Sequence, residues 1–122
     1  MSRVTAAPGT PTKPVYVFCV PGTLTTSSSA PWIPGQGKTV SKARGVVKTA
    51  PGATGADLHV LIELINPSNP TAEVTLGTLV IPAGDFEGTL TFTATNVPVD
   101  HVLAISISQT GTAPSDLTVT VS

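Results

Sequence analysis

The feature of this sequence that most restricts its fold is a two-residue alternation of apolar side chains. In Asp57–Ile65 every even position is apolar (Leu58, Val60, Ile62 and Leu64), whereas the odd positions mix acidic, basic and apolar residues. Successive side chains of a β-strand point to opposite faces, so this period commits one face of an extended strand to a core. The segment is therefore predicted to be a half-buried strand with Ile62 inside.

Similar segments recur along the chain, separated by turns rich in Gly, Pro, Asn and Ser. The further candidate strands are Val15–Val20, Gly22–Thr26, Lys38–Lys48, Ala72–Ile81, Thr89–Thr95, His101–Ser108 and Leu117–Ser122. No window carries an apolar stripe with a helical period, so helix content should be close to nil. About eight short strands predict an all-β fold, a single antiparallel β-sandwich that is jelly-roll-like.

The chain divides into a short arm and one domain. Residues 1–14 contain Pro8, Pro11 and Pro14 and are predicted to be an extended, proline-rich N-terminal arm that needs a partner surface to become ordered. Residues 15–122 form the predicted sandwich domain. The start of the chain lacks the apolar region of a signal peptide, and no apolar run approaches the ~20 residues of a spanning helix, so no membrane partner is expected.

Charge is divided sharply along the sequence. All six basic residues lie before position 49 and all seven acidic residues lie after it. Lys38, Lys42, Arg44 and Lys48 share parity in one candidate strand, so a regular strand would align them as a basic stripe and a candidate docking surface. Two interpretations stay open: docking on an acidic face of a neighbouring subunit, or cross-strand pairing within one sheet, which is slightly favoured because those partners are nearer.

No set of residues predicts catalysis, a metal or a cofactor. Asp57, His59 and Glu63 share the face opposite the apolar one, but no fourth ligand has matching spacing, and a polar solvent face explains them. Asp100-His101 is interpreted as a polar turn. The stretch Gly35–Thr39 lacks the first glycine, the preceding strand and the following helix of a phosphate-binding loop. We therefore expect a protein that is not an enzyme.

The scarcity of aromatic residues limits the ligands that can be expected. The chain has five aromatic residues and a net charge of −1, which argues against a nucleic-acid partner. Trp32, in the predicted loop Ser27–Gly37, is a candidate ligand-loop residue that could stack on a sugar. A buried tryptophan that caps one end of the sandwich is the favoured alternative.

Several segments after Pro21 resemble a known type of module. They are PGTLTT at 21–26, APW at 30–32, APGATGADLHVLI at 50–62, LVIPAG at 79–84 and ISISQTGTAPSDLTVTV at 105–121. Together they resemble a β-sandwich module found in structural proteins of tailed bacteriophages, of the decoration, minor tail and tail-fibre types. Val99-Asp100-His101 departs from the Gly-Asp that usually precedes the strand there. The resemblance implies no catalytic residues.

The resemblance implies a place in the virion after synthesis in the host cytoplasm. The main expectation is a small accessory or decoration subunit on the capsid exterior that stabilises the particle. Its partners would be other capsid or tail proteins and copies of itself in a homo-oligomer. The alternative is a minor tail or tail-tip module that recognises a host surface glycan. An alternative of another class is a free carbohydrate-binding or adhesive domain.

Overall fold

A computed structural model describes residues 16–52 and 55–122 as two packed antiparallel sheets. The predicted arm, Met1–Pro14, lies outside the described residues. The all-β sandwich prediction is confirmed, and the helical content of the described part is a single 3-10 turn at Pro70–Ala72. The strands are β1 (Tyr16–Thr23), β2 (Ile33–Pro34), β3 (Lys38–Thr49), β4 (Leu58–Ile65), β5 (Val74–Ile81), β6 (Glu87–Val97), β7 (Val102–Gln109) and β8 (Ser115–Val121).

The strands divide equally between the sheets. Sheet A has the order β1-β8-β3-β6, and sheet B has the order β2-β7-β4-β5. All neighbouring strands pair antiparallel. Four of the pairs are nested about the middle of the chain: β1 with β8, β2 with β7, β3 with β6 and β4 with β5. In the part of the chain that the structure describes, no helix has the length and apolar character needed to cross a membrane.

The core lies between the two sheets and follows the alternation of the sequence. Leu58, Val60 and Ile62 of β4 have no exposed surface, and Leu103 of β7 and Val119 of β8 are equally buried. Burial of such side chains is the main favourable contribution to folding, at about 1.5–3 kcal/mol each. The two-residue pattern therefore identified the core-facing residues of β7 and β8 and those of β4 as far as Ile62. Leu64, predicted to be buried with them, is only half-buried and packs against the core.

The end of β1 differs from its prediction. Pro21-Gly22 was expected to end the strand, but β1 continues to Thr23, and the register shifts between Val20 and Thr23. β1 is an edge strand, where a proline costs no ladder hydrogen bond on the free side. Gly22 takes a positive φ of 80°, and its N–H donates to Asp116 Oδ1 at 2.7 Å. The proline-glycine pair thus forms a bulge within the strand.

The second strand was predicted at the wrong place. The expected strand Gly22–Thr26 does not form beyond Thr23, and β2 instead lies in the predicted loop, where Ile33 pairs with Leu103. Ile33 packs against the core, while Leu24 is buried and donates its N–H to the Pro114 carbonyl at 2.9 Å. The two-residue β2 is too short to leave a sequence signal, because one buried residue sets no period.

Most inward side chains of β6 are only partly buried. The alternation in Thr89–Thr95 predicts that Leu90, Phe92 and Ala94 face inward. Leu90 and Phe92 are half-buried, whereas Ala94 is exposed. β6 is an edge strand, and near its start it runs against β5 of the other sheet. A Cβ on Gly88 would lie 1.9 Å from the Val80 carbonyl oxygen, so glycine is required for this close approach.

Candidate docking surface

The outer face of sheet A is an exposed polar surface. One cross-strand row on this face runs through Val17, Thr120, Arg44 and Thr89, which are paired strand to strand. The inward neighbours of these residues supply the core, so the outer side chains are left to solvent. The face therefore presents hydroxyl groups and cations on a framework of paired strands, which fixes their relative positions.

This face contains a groove of about 480 Å³. It is lined by Lys42, Ala43, Arg44, Thr89, Leu90, Thr91, Thr120 and Ser122. The groove lies beside a register shift: Val40 pairs with Thr95, but Lys42 pairs with Thr91. Between these two pairs, one residue of β3, Ser41, thus opposes three residues of β6. Lys42 N–H and C=O both bond to Ser122, each at 2.9 Å.

The two cations of the groove have different surroundings. Arg44 Nε donates to Glu87 Oε2 at 3.0 Å, and both side chains are more than half exposed. An exposed pair of this kind contributes about 0–1 kcal/mol. Across residues 16–52 and 55–122, no carboxylate lies within 4.0 Å of Lys42. The groove thus contains one compensated positive charge and one uncompensated positive charge.

The structure separates the residues of the predicted basic stripe. All four lie on β3, but the strand is not regular, because the shift between Val40 and Lys42 changes its parity. Lys38 shares the parity of buried Val40, whereas Lys42, Arg44 and Lys48 share the outer face. Lys48 lies beyond the groove lining. The stripe is therefore reduced to three residues, and the groove holds two of them. The Arg44–Glu87 pair is an example of the second interpretation of these charges, cross-strand pairing within one sheet.

Glu63 was interpreted as part of a solvent face, and this was wrong. It pairs with Ala104 on the outer side of sheet B and is only 6% exposed. Burial raises the pKa of the Glu63 carboxyl, and the nearby Glu73 carboxylate raises it further. A hydrogen bond with Ser106 acts in the opposite direction. Alternation alone could not reveal this burial, since it assigns residues to faces and does not show what covers a face.

The other polar candidates are accounted for by local contacts. Asp57 Oδ1 accepts a 2.9 Å hydrogen bond from the Ala83 N–H and so ties β4 to the turn after β5. His101 Nδ1 lies 2.8 Å from Asp100 Oδ1, and this hydrogen bond lowers the pKa of Asp100. Among the described residues, no group of three His, Cys, Asp or Glu side chains could hold a metal ion.

Trp32 is not a buried plug. Its side chain is 50% exposed and belongs to none of the core residues, so the favoured interpretation of this residue was wrong. Trp32 precedes Ile33, which pairs with Leu103 and faces the core. Because neighbouring residues of a strand face opposite sides, alternation assigns Trp32 to the outer side of sheet B, beside Ala104. The physical reason is that β2 is an edge strand, which leaves one side of the indole without a neighbouring strand.

Four hydroxyl residues of the groove were missed by the sequence analysis. Thr89, Thr91, Thr120 and Ser122 come from β6 and from β8 with its end, and β3 lies between these strands. Threonines that alternate along a strand indicate only an outward face. Strand order brings these residues together, and no pattern within one strand encodes it.

Comparison with known proteins adds no family to these observations. No family model matches the chain, and no curated protein matches it significantly. The resemblance to phage structural modules therefore stays a prediction that depends on the residues quoted for it.

Proposed function

We propose that this protein is a non-enzymatic structural subunit of a bacteriophage virion. Its proposed role is that of a small accessory or decoration subunit on the capsid exterior, where it stabilises the particle by added contacts. The observation that carries the proposal is the strand pairing, considered together with the phage-like segments of the sequence. A minor tail location is the alternative within the virion.

From the strand pairing we infer that the sandwich is a jelly roll. Pairing β1 with β8, β2 with β7, β3 with β6 and β4 with β5 corresponds to one long hairpin wound around a common core. Double-sheet jelly rolls of eight strands occur in viral capsid and lectin domains. A fold alone does not define a function, so the proposed role also depends on the chemical properties of the surface.

The outer face of sheet A supports docking on another protein. It is stiffened by backbone pairing and carries an uncompensated cation at Lys42 beside the Arg44–Glu87 pair. The groove lining contains no aromatic platform of the kind that favours sugars. Ordered hydroxyls and cations are suited to carboxylate and carbonyl groups of a protein partner. We therefore assign sheet A as the proposed contact face with the particle.

The single cysteine provides a direct test. Cys19 is exposed and pairs with Thr118 in sheet A. Purified protein should bind to particles that lack it, and its thiol should then react more slowly with a maleimide than in the free protein. The matched control is a Cys19→Ser/Ser108→Cys variant, which moves the thiol to an exposed position of β7 in sheet B.

The control thiol should keep its reactivity in the particle. Absence of the protein from particles would refute the virion role. Equal protection at both thiol positions would refute sheet A as the contact face while leaving the virion role intact. Imaging of the labelled particles separates capsid from tail.

A second candidate function is favoured by the exposure of Trp32. A half-exposed indole on an edge strand can stack on a sugar ring. The corresponding role is a tail-tip or receptor-binding module that recognises a host surface glycan, or an adhesive domain that acts alone. Binding to an array of bacterial surface glycans tests this role, with Trp32→Ala expected to abolish binding. Phe86→Ala is the matched control, because Phe86 is also exposed but lies at the turn after β5. Equal binding by wild type and Trp32→Ala would reject the role.

A further inference from the structure

We propose that the groove on sheet A binds a second copy of this chain through the turn between β5 and β6. The occupant is the Asp85-Phe86 tip of that turn. This contact would use the groove for self-association and leave the β1–β8 part of the same face, which carries Cys19, for the proposed contact with the particle. The inference does not depend on the virion role, because its test needs only the purified protein.

The turn is held in shape by hydrogen bonds on several sides. Gly84 N–H donates to the Pro51 carbonyl at 2.7 Å, and Asp85 N–H donates to the Pro82 carbonyl at 3.0 Å. The Phe86 carbonyl accepts from Val47 N–H at 2.9 Å. A turn fixed in this way loses little conformational entropy when it binds, which favours its use as a binding element.

The tip of the turn carries two groups that need a partner. Phe86 is 58% exposed, an unusual position for a large apolar side chain, and Asp85 beside it is also exposed. Asp85 is not within 4.0 Å of a basic group among the described residues. Aromatic residues are enriched in protein interfaces, so an exposed phenyl ring at the tip of a turn is a candidate anchor.

The groove offers the complementary groups. Lys42 supplies the uncompensated positive charge, while the half-buried Leu90 is the larger of the two apolar residues in the lining and Ala43 beside it is buried. A volume of about 480 Å³ lies within the range of ligand pockets, which is enough for a phenyl ring and a carboxylate. The segregation of basic residues before position 49 and acidic residues after it gives the two surfaces opposite signs.

One turn in one groove makes a small contact, so the association should be weak and dependent on salt. Stable interfaces bury upwards of about 1,000 Å² in total, and smaller ones are transient. Exposed charges are screened over about 10 Å at 0.1 M salt. Sedimentation equilibrium of the full chain at high concentration should therefore show self-association that weakens as salt is raised.

Charge exchange provides the decisive test. Lys42→Glu makes both surfaces acidic and Asp85→Lys makes both basic, so each variant alone should associate at least about tenfold more weakly than wild type. In an equimolar mixture each groove can bind a turn of opposite sign on the other variant, so association should return as a complex of the two variants. Lys48→Glu is the matched control on the same strand, outside the groove, and should associate like wild type. Melting temperatures of all variants verify that they are folded.

Three results would overturn the inference. The first is a wild-type protein that is monomeric at all concentrations and low salt. The second is a mixture of the two variants that does not associate. The third is a Lys48→Glu control that loses association as fully as Lys42→Glu, which would show a general effect of charge and not a contact in the groove.

Discussion

The outer faces of the two sheets differ although the inner faces are alike. On sheet A, the residues of β3 and β8 alternate between buried and open positions, so the outer face is polar and accessible. On sheet B, the outward residues of β4 and β7 are mostly half-buried, and Glu63 and Ala104 are nearly inaccessible. The same strand architecture thus produces one open face and one covered face.

Because of this difference, the two sheets contribute differently to folding stability and to binding. A covered outer face stabilises by additional burial, but it can trap a carboxyl group in surroundings that disfavour its charge. An open face adds little stability and leaves cations and hydroxyls available to a partner. Variants on the two faces should therefore differ in what they change: folding stability for sheet B and association for sheet A.

The largest expected effect concerns the inner face that both sheets share. Ile62→Ala should lower the free energy of unfolding by about 2–5 kcal/mol, because it leaves a cavity where the side chain has no exposed surface. Thr118→Ala, on the open face of sheet A, should change it by less than about 0.5 kcal/mol. Urea denaturation measures both. Equal losses would mean that the two faces of the sandwich are not distinguished as described.

The next effect tests the covered face of sheet B. Glu63→Gln should raise stability at neutral pH, since it removes a carboxylate that burial and Glu73 disfavour. A raised pKa means that the folded state holds the proton more tightly than the unfolded state does. Wild-type stability should therefore fall as pH rises from the ordinary value of 4.5 through the raised pKa.

The difference between wild type and Glu63→Gln should accordingly vanish well below pH 4.5 and open as pH rises. Denaturation curves across this range measure it. Glu87→Gln is the control on the open face, where only the exposed pair with Arg44 is lost and stability should change by no more than about 1 kcal/mol. A constant difference at all pH values would show that Glu63 is not the group responsible.

A smaller effect divides the cations of sheet A between internal pairing and docking. Arg44→Glu places two carboxylates side by side at Glu87 and should lower stability by up to about 1 kcal/mol. Lys42→Glu has no internal partner to lose and should leave the melting temperature unchanged. Adding Glu87→Arg to Arg44→Glu should restore stability. An equal loss in both single variants would place Lys42 in an internal pair as well.

The smallest effect on stability is expected for the arm. Deletion of Met1–Pro14 should leave thermal melting nearly unchanged, because this segment has three prolines and no run of core-forming residues in its sequence. Incorporation into particles should fall, since the proline-rich segment is predicted to be an anchor. Unfolding of the truncated chain would show that the segment is part of the core.

The core-facing residues could be predicted where the sequence of one strand is enough to assign its two faces. The alternation in Asp57–Ile65 identified Leu58, Val60 and Ile62 as core residues because a strand's two faces follow directly from its period. Prediction from the sequence failed at β2, where two residues carry no period, and at Lys38, where a register shift beyond any local signal changed the parity of β3.

Two properties of this protein could be predicted from its sequence alone: its all-β sandwich fold, and the core residues of the long inner strands. Those properties depend on the local period of the backbone and on the transfer of apolar side chains out of water. The tertiary structure decided that Glu63 is covered, that Trp32 is exposed, and that Lys42 and Arg44 share a groove with hydroxyls from other strands. Strand order determines these neighbours, and it results from the packing of the whole chain.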